Sequence, residues 1–178
     1  MCNKLSGSLN KIKRRIVRQK WVLLALFIFA VFLNIIKEPI SQYYGIYFAF
    51  SDCLPYRVYL FDKKQKIDKL KVGDIIAGRA VRMEPVLKDG KTIGKMVIGL
   101  PGDKVEIKDG KLTINGYYWA NTDYATQKHG KSPKHYDTSY TIPDGELFLY
   151  GTAKNSYDSR YWGTYPQDNV YGIVRPLF

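Results

Sequence analysis

The chain has 178 residues, 46% of them hydrophobic and 15% aromatic, with 28 lysines and arginines against 16 aspartates and glutamates. That length and apolar content suffice for one domain with a real core and exclude a disordered tail. The net charge of +12 suggests a nucleic-acid partner at first sight, but Lys4, Lys11, Lys13, Arg14, Arg15, Arg18 and Lys20 crowd the first 20 residues and the remainder is only mildly basic.

The basic block, residues 1–20, runs into WVLLALFIFAVFLNII, Trp21 to Ile36, 16 residues without a charge. At 1.5 Å per residue it covers about 24 Å of helix, under the roughly 30 Å hydrocarbon core. Ile16 and Val17 extend it while Arg18 and Lys20 snorkel to the headgroups. A cleaved signal peptide matches the length, but FLNIIKEPISQ offers no small-x-small cleavage site. A buried core helix would carry one apolar stripe, whereas this run is apolar on every face. Residues 21–38 are therefore expected to form a transmembrane signal anchor. The positive-inside rule keeps residues 1–20 cytoplasmic and sends 39–178 across the membrane. Membrane lipid is the partner this basic block suits, and no nucleic acid is expected.

After Pro39, ISQYYGIYFAF places Tyr43, Tyr44, Tyr47, Phe48 and Phe50 just outside the span, a composition shared by headgroup-level aromatics and by a core strand. Beyond residue 50 no helical period is sustained. RVYLF, DIIAGRAV, KMVIGL, KVEI, KLTI and ELFLYG are the strand candidates, and Asp89-Gly90, Asp109-Gly110 and Asn115-Gly116 suit turns with positive φ. KVEIKDGKLTING is the clearest hairpin, with Val105, Ile107, Leu112 and Ile114 alternating with polar residues. Residues 120 to 140 are polar and read as a long loop. The fold class is mainly β: one antiparallel β domain, residues 39–178, behind a single N-terminal membrane helix.

The chain has two cysteines, Cys2 and Cys53, and this topology puts them on opposite sides of the membrane, where they cannot pair. A lone thiol in an oxidising compartment is either a reactive group or a small buried hydrophobe, and position alone leaves both open. Two histidines and one accessible cysteine do not make a metal-ligand set, and His129 and His135 lie in the polar segment without an orienting partner, which leaves a Cys/His dyad open but poorly supported. No phosphate-binding glycine pattern is present, and no cofactor is expected.

The remaining route to an activated nucleophile is a lysine. GKMVIGLPGDKVEI, residues 94 to 107, resembles the segment of type I signal peptidases that carries the catalytic lysine shortly before a Gly-x-Pro-Gly-Asp turn. NSYDSRYWGTYPQDNVYGIV, residues 155 to 174, resembles their C-terminal signature, and SDCLP falls where the family has Ser-x-Ser followed by an apolar residue and proline. Leu-Pro directly after the nucleophile position, with tyrosine nearby, is most similar to the TraF-type maturation peptidases of conjugative plasmids. The resemblance runs from about residue 50 to the end and implies a signal peptidase I type β domain. It implies Cys53 as nucleophile, Lys95 as general base, Ser51 as a partner in the oxyanion hole and Ser156 as the hydroxyl that orients the lysine amine. Asp158 and Arg160 match a structural ion pair, and Gly99, Pro101, Gly102 and Asp103 the turn near the site. GTAKNSYDSRYWG departs from the family's Gly-Asp-Asn opening and is a residue shorter.

The resemblance further implies an endopeptidase on the periplasmic side of a bacterial inner membrane, processing exported precursors such as propilin, with conjugative type IV secretion components as further partners. In a Ser/Lys dyad the lysine must be neutral, which burial among Met96, Ile98 and Leu100 would favour. A thiol, with a pKa of about 8.5, is already more acidic than a lysine at about 10.4, so cysteine permits a thiolate-ammonium pair. The acyl-enzyme would be a thioester, open to ordinary hydrolysis or to transfer to an amine, which would give transpeptidation or cyclisation. The alternative is a catalytically inactive scaffold that binds pilin or the transfer apparatus, with Cys53 inert.

Overall fold

The computed structural model describes residues 2–49, 53–63, 69–122 and 130–177, with residues 2–18 and Pro133 described by their backbone alone. It divides into two units, Met1–Tyr43 and Tyr44–Phe178. The first is one helix, α1 (Cys2–Tyr43), which continues through Pro39 although that residue supplies no N–H to the helix ladder. Its Gln19–Tyr43 part contains an 18-residue stretch with a mean hydropathy of 2.1 and is long and apolar enough to cross a membrane. Trp21, Phe27 and Ile35 on it are exposed.

Among the described residues the second unit contains eleven strands in two sheets, all paired antiparallel. These are β1 (Tyr44–Phe48), β2 (Val58–Asp62), β3 (Ile75–Arg79), β4 (Thr92–Gly99), β5 (Lys104–Lys108) and β6 (Lys111–Ile114), followed by β7 (Tyr117–Asn121), β8 (Thr138–Thr141), β9 (Glu146–Tyr150), β10 (Tyr165–Pro166) and β11 (Val170–Pro176). One helical turn, α2 (Ser159–Trp162), follows β9. The larger sheet has the order β1-β2-β11-β3-β4-β9-β10, and the smaller β7-β6-β5-β8. A mainly antiparallel β domain with one apolar N-terminal helix is the architecture the sequence pattern leads one to expect.

Hairpin β5–β6 shows why the local sequence suffices there. Asp109 and Gly110 turn the chain with φ of 48° and 78°, and Asn115 and Gly116 repeat this at 50° and 82°. Gly tolerates such angles freely, and Asn and Asp better than most residues. The resulting register sets Val105 against Ile114 and Ile107 against Leu112. All four are buried, together with Ile98, Ile142 and Phe148, in the core beneath the smaller sheet. Each such side chain contributes about 1.5–3 kcal/mol on full burial.

The expectation of a long loop over residues 120 to 140 is corrected where the structure describes it. Ala120 and Asn121 end β7, Pro133–Tyr136 form a 3-10 turn, and Thr138–Tyr140 belong to β8; residues 123–129, including His129, lie outside the described residues. Strands β7 and β8 are the two edges of their sheet and largely exposed, so they lack the apolar alternation by which a strand is read.

Strand β4 positions the chemistry because two cores meet on it. Ile93 and Val97 face a cluster with Ile76, Leu147, Leu149 and Tyr165. Ile98, with Met96 beside it, faces the smaller-sheet core. A bulge between Val97 and Gly99 resets the register against β9. A Cβ on Gly99 would stand 2.6 Å from Ile142 Cδ1 and 2.9 Å from Phe148 Cβ, so only glycine fits there.

Candidate active site

Lys95 lies in the middle of β4, opposite Ile76 of β3, with Met96 opposite Tyr150 of β9. Strand alternation turns its side chain away from Met96 and Ile98. The expectation that those two wall the amine is thereby corrected, since both pack on the smaller-sheet core. Only 4% of Lys95 is exposed. Its Nζ donates a 2.7 Å hydrogen bond to Oγ of Ser156, itself fully buried. Space for this pair comes from Gly151, where a Cβ would overlap Ser156 Oγ and lie 3.0 Å from Lys95 Nζ. A buried amine without a partner costs far more than one held by a hydroxyl, so the Ser156 contact is what makes this burial tolerable.

Cys53 follows β1 in a turn, is partly buried, forms no disulfide among the described residues, and is succeeded by the buried Leu54. Its carbonyl accepts hydrogen bonds from Thr152 N at 2.9 Å and Thr152 Oγ1 at 3.3 Å. Cys53 and Lys95 line one cleft of about 660 Å³, whose walls also include Tyr47, Met83, Ile93 and Tyr157. The Tyr47 hydroxyl reaches the face of Gly94, 2.8 Å from where a Cβ would be. Burial, then the neighbouring Cys53 and Tyr59 charges, raises the Tyr47 phenol above its usual range and keeps it protonated. Ser51 lies outside the described residues.

The segment after β9 braces this arrangement. Asp158, with no exposed surface, meets Arg160 in a fork: Nε to Oδ1 and Nη2 to Oδ2, both 2.8 Å. Asp158 Oδ2 also accepts from Gly151 N at 2.9 Å, which fixes the residue packed against the lysine amine. Arg160 Nη1 donates to the Asn121 carbonyl at 2.6 Å, and its guanidinium lies 4.7 Å from the Tyr150 ring centroid. Burial works to lower the Arg160 pKa, but the hydrogen bond and charge of Asp158 outweigh it and the net shift is upward. Ser159 Oγ accepts from Leu149 N, tying α2 to β9.

The structure thus brings Lys95, Ser156, Asp158 and Arg160 into one connected network and sets Cys53 on the same cleft. Gly99, Pro101, Gly102 and Asp103 stand apart from the cleft lining and form the turn into the smaller sheet. There Asp103 accepts from Leu100 N and Asn115 Nδ2, and Gly102 N donates to Ile142 O. The sequence does not mark Thr152, Tyr47 or the Asn121 carbonyl as site groups, and it shows Gly151 only within the segment that departs from the family's Gly-Asp-Asn opening. The first three act through contacts between segments far apart in the chain. Among the described residues no group of three or more His, Cys, Asp or Glu side chains converges as a metal site would require.

An antiparallel β domain with a hydroxyl-held lysine buried at one cleft points to a class of peptidases, and the comparison of sequences agrees. The chain belongs to the signal peptidase family, peptidase S26, whose profile matches residues 18–178. It is 39% identical over 85 residues to the conjugal transfer protein TraF of Agrobacterium fabrum, covering 47% of each chain. Over 80 residues it is 32% identical to the probable signal peptidase I-2 of Synechocystis, covering 44% of this chain and 34% of that one. The aligned segments therefore span about half the length of these curated relatives or less. Among solved structures, a signal peptidase I from Enterococcus faecalis V583 is 32% identical, with 62% of this chain and all of that one covered and a TM-score of 0.41.

Proposed function

We propose that this chain is a membrane-anchored endopeptidase that cleaves exported precursor polypeptides, with Cys53 as nucleophile and Lys95 as the base. The carrying observation is the buried Lys95 amine, held by Ser156 in the cleft that Cys53 also lines. α1 is the anchor, and the β domain works on the periplasmic side of a bacterial inner membrane, following the charge bias of residues 1–20. The substrate class is a propilin-like precursor of a conjugative apparatus. The TraF relative, named for conjugal transfer, supports that choice.

In this reading the thiol proton passes to the Lys95 amine and the thiolate attacks the scissile carbonyl carbon. The C–S bond forms as the carbonyl electron pair moves to oxygen, and the oxyanion accepts from Cys53 N–H and the Ser51 hydroxyl. Collapse expels the amine, which takes the proton from the Lys95 ammonium and leaves a thioester. Water, or the amine of a second peptide or of the same chain, then gives a proton to Lys95 and displaces the thiolate, which recovers that proton. Amine attack yields a transpeptidated or cyclic product. Ser156 keeps the amine aimed throughout, and the Asp158–Arg160 pair holds Gly151 behind it.

The reading is tested by mixing the detergent-solubilised chain with a pilin-type precursor and searching Cys53 by mass spectrometry for an acyl adduct labile to neutral hydroxylamine. The adduct is expected in the parent and absent in Lys95→Ala. Undiminished processing by Cys53→Ala overturns the assignment. A mature product with only a free, water-derived C-terminus removes the amine-transfer step and leaves hydrolysis.

A further inference from the structure

Thr152 makes two hydrogen bonds to one atom, the carbonyl oxygen of Cys53, from its backbone N–H at 2.9 Å and from Oγ1 at 3.3 Å. These cross 99 residues of chain. Four residues further along the same segment is Ser156, whose Oγ accepts from the Lys95 amine at 2.7 Å. The segment is internally closed, because Ser156 N donates to Ala153 O at 3.0 Å and Gly151 N donates to Asp158 Oδ2 at 2.9 Å. One short loop therefore touches the thiol-bearing residue at one end and the amine at the other.

We infer that Thr152 is a positioning residue for Cys53: its double donation to the Cys53 carbonyl fixes the thiol relative to the Lys95 amine that the same loop orients. This rests on the Cys53/Lys95 reading above. The argument is geometric. Lys95 sits on an interior strand whose backbone is paired on both sides, whereas Cys53 sits in a turn. On its C-terminal side that turn is anchored by Leu54, which is buried with its Cδ1 against the face of Gly94. With Leu54 packed and the carbonyl held by two donors, the backbone that carries the thiol is fixed on its C-terminal side. Without Oγ1 a single backbone bond remains on an exposed part of the loop, and the carbonyl can tilt. Small losses of orientation between reacting groups weaken their coupling strongly. The hydroxyl acts on the pair without touching the reacting atoms, which makes it a positioning group and not a catalytic one.

The test uses the full-length, detergent-solubilised chain with Cys2→Ser throughout, and reads the rate of Cys53 alkylation by iodoacetamide against pH. Five proteins are compared: the parent, Thr152→Val, Thr152→Ser, Lys95→Ala and the double Thr152→Val/Lys95→Ala. Thr152→Val keeps the shape and backbone donor but removes Oγ1. It should slow alkylation at neutral pH by about 3- to 10-fold, the range one hydrogen bond supplies, and move the profile toward that of an ordinary thiol near 8.5. Thr152→Ser should restore the parental profile. The valine effect should vanish when Lys95 is already alanine, since a clamp that serves the pair has nothing left to serve.

A loss of equal size in both backgrounds, or a serine variant that behaves like valine, overturns the assignment. So does a valine variant whose profile overlays the parent. A parental profile indifferent to Lys95→Ala removes the underlying pair and the clamp's role with it. A dependence on Lys95 without one on Thr152 removes the clamp alone. Melting temperatures of the five proteins, measured alongside, separate a lost clamp from a loosened fold.

Discussion

Replacing Asp158 by alanine tests whether the segment after β9 is held by its ion pair. The carboxylate is wholly buried and accepts from Arg160 Nε and Nη2 at 2.8 Å, from Gly151 N at 2.9 Å and from Arg160 N at 3.3 Å. Removal strands the Arg160 guanidinium, which is only 5% exposed, with the carbonyls of Asn121 and Ser156 as its remaining acceptors. Breaking a buried pair from one side costs about 3–5 kcal/mol, because the surviving charge stays desolvated. For a chain of this size each kcal/mol lowers Tm by about 2–4 °C, so a fall of about 6–20 °C is expected. The assay is thermal unfolding of the detergent-solubilised protein followed by tryptophan fluorescence, with Asp158→Ala, Arg160→Met and the double variant. The double should lose less than the sum of the singles, because it leaves no buried unpaired charge. An Asp158→Ala protein melting within about 2 °C of the parent would refute the reasoning, since it would fall below the smallest loss a broken buried pair implies.

Gly151→Ala puts a methyl group onto Ser156 Oγ and 3.0 Å from Lys95 Nζ, so the amine loses its orienting hydroxyl. Lys95-dependent Cys53 alkylation should fall by about 10-fold, the equivalent of one well-made hydrogen bond, and fluorescence unfolding shows whether the fold survives. Gly99→Ala drives a Cβ into Ile142 and Phe148 and should destabilise by about 1–3 kcal/mol in denaturant titration, as overpacking does. The buried Tyr140 hydroxyl has no hydrogen-bond partner among the described residues, so Tyr140→Phe should match or exceed the parent in stability at pH 7. Its pKa is pushed up to about 12 by burial and then by Glu146. The folded state therefore holds the proton more tightly than the unfolded state does at about 10. That contribution is complete below pH 10 and is lost as pH climbs through about 12. Melting curves between pH 9 and 12 should show a shallower alkaline decline for Tyr140→Phe than for the parent.

Much of the fold is legible where burial is one-sided and turns are stereochemically marked. Val105, Ile107, Leu112 and Ile114 alternate because one face of their hairpin meets a core, and Asp109-Gly110 and Asn115-Gly116 supply its positive φ angles. Asp89-Gly90 carries the same signal, but there only the glycine turns left-handed. β7 and β8 are hidden because Tyr117, Tyr118, Thr138 and Ser139 face solvent on sheet edges, where packing imposes no pattern. Misreading Met96 and Ile98 as walls for Lys95 has the same root, since adjacency in sequence means opposite faces in a strand. Within the site, the lysine segment and the Asp-Ser-Arg run stand out as motifs. The contacts of Thr152 with Cys53, and of Arg160 with Asn121, join residues 99 and 39 positions apart and leave no local trace.

Lys95 and Cys53 differ in how freely they can change. The lysine stands on β4, with β3 on one side and β9 on the other, so moving it by one position would reverse its face and disturb two cores. The cysteine stands in a turn whose carbonyl is gripped, and it lines the cleft. Exchanging sulfur for oxygen at residue 53 needs one nucleotide change and no rearrangement of the sheet. In the proposed reading, residue 53 can therefore change while Lys95 stays fixed, because the turn and the sheet are held by separate contacts.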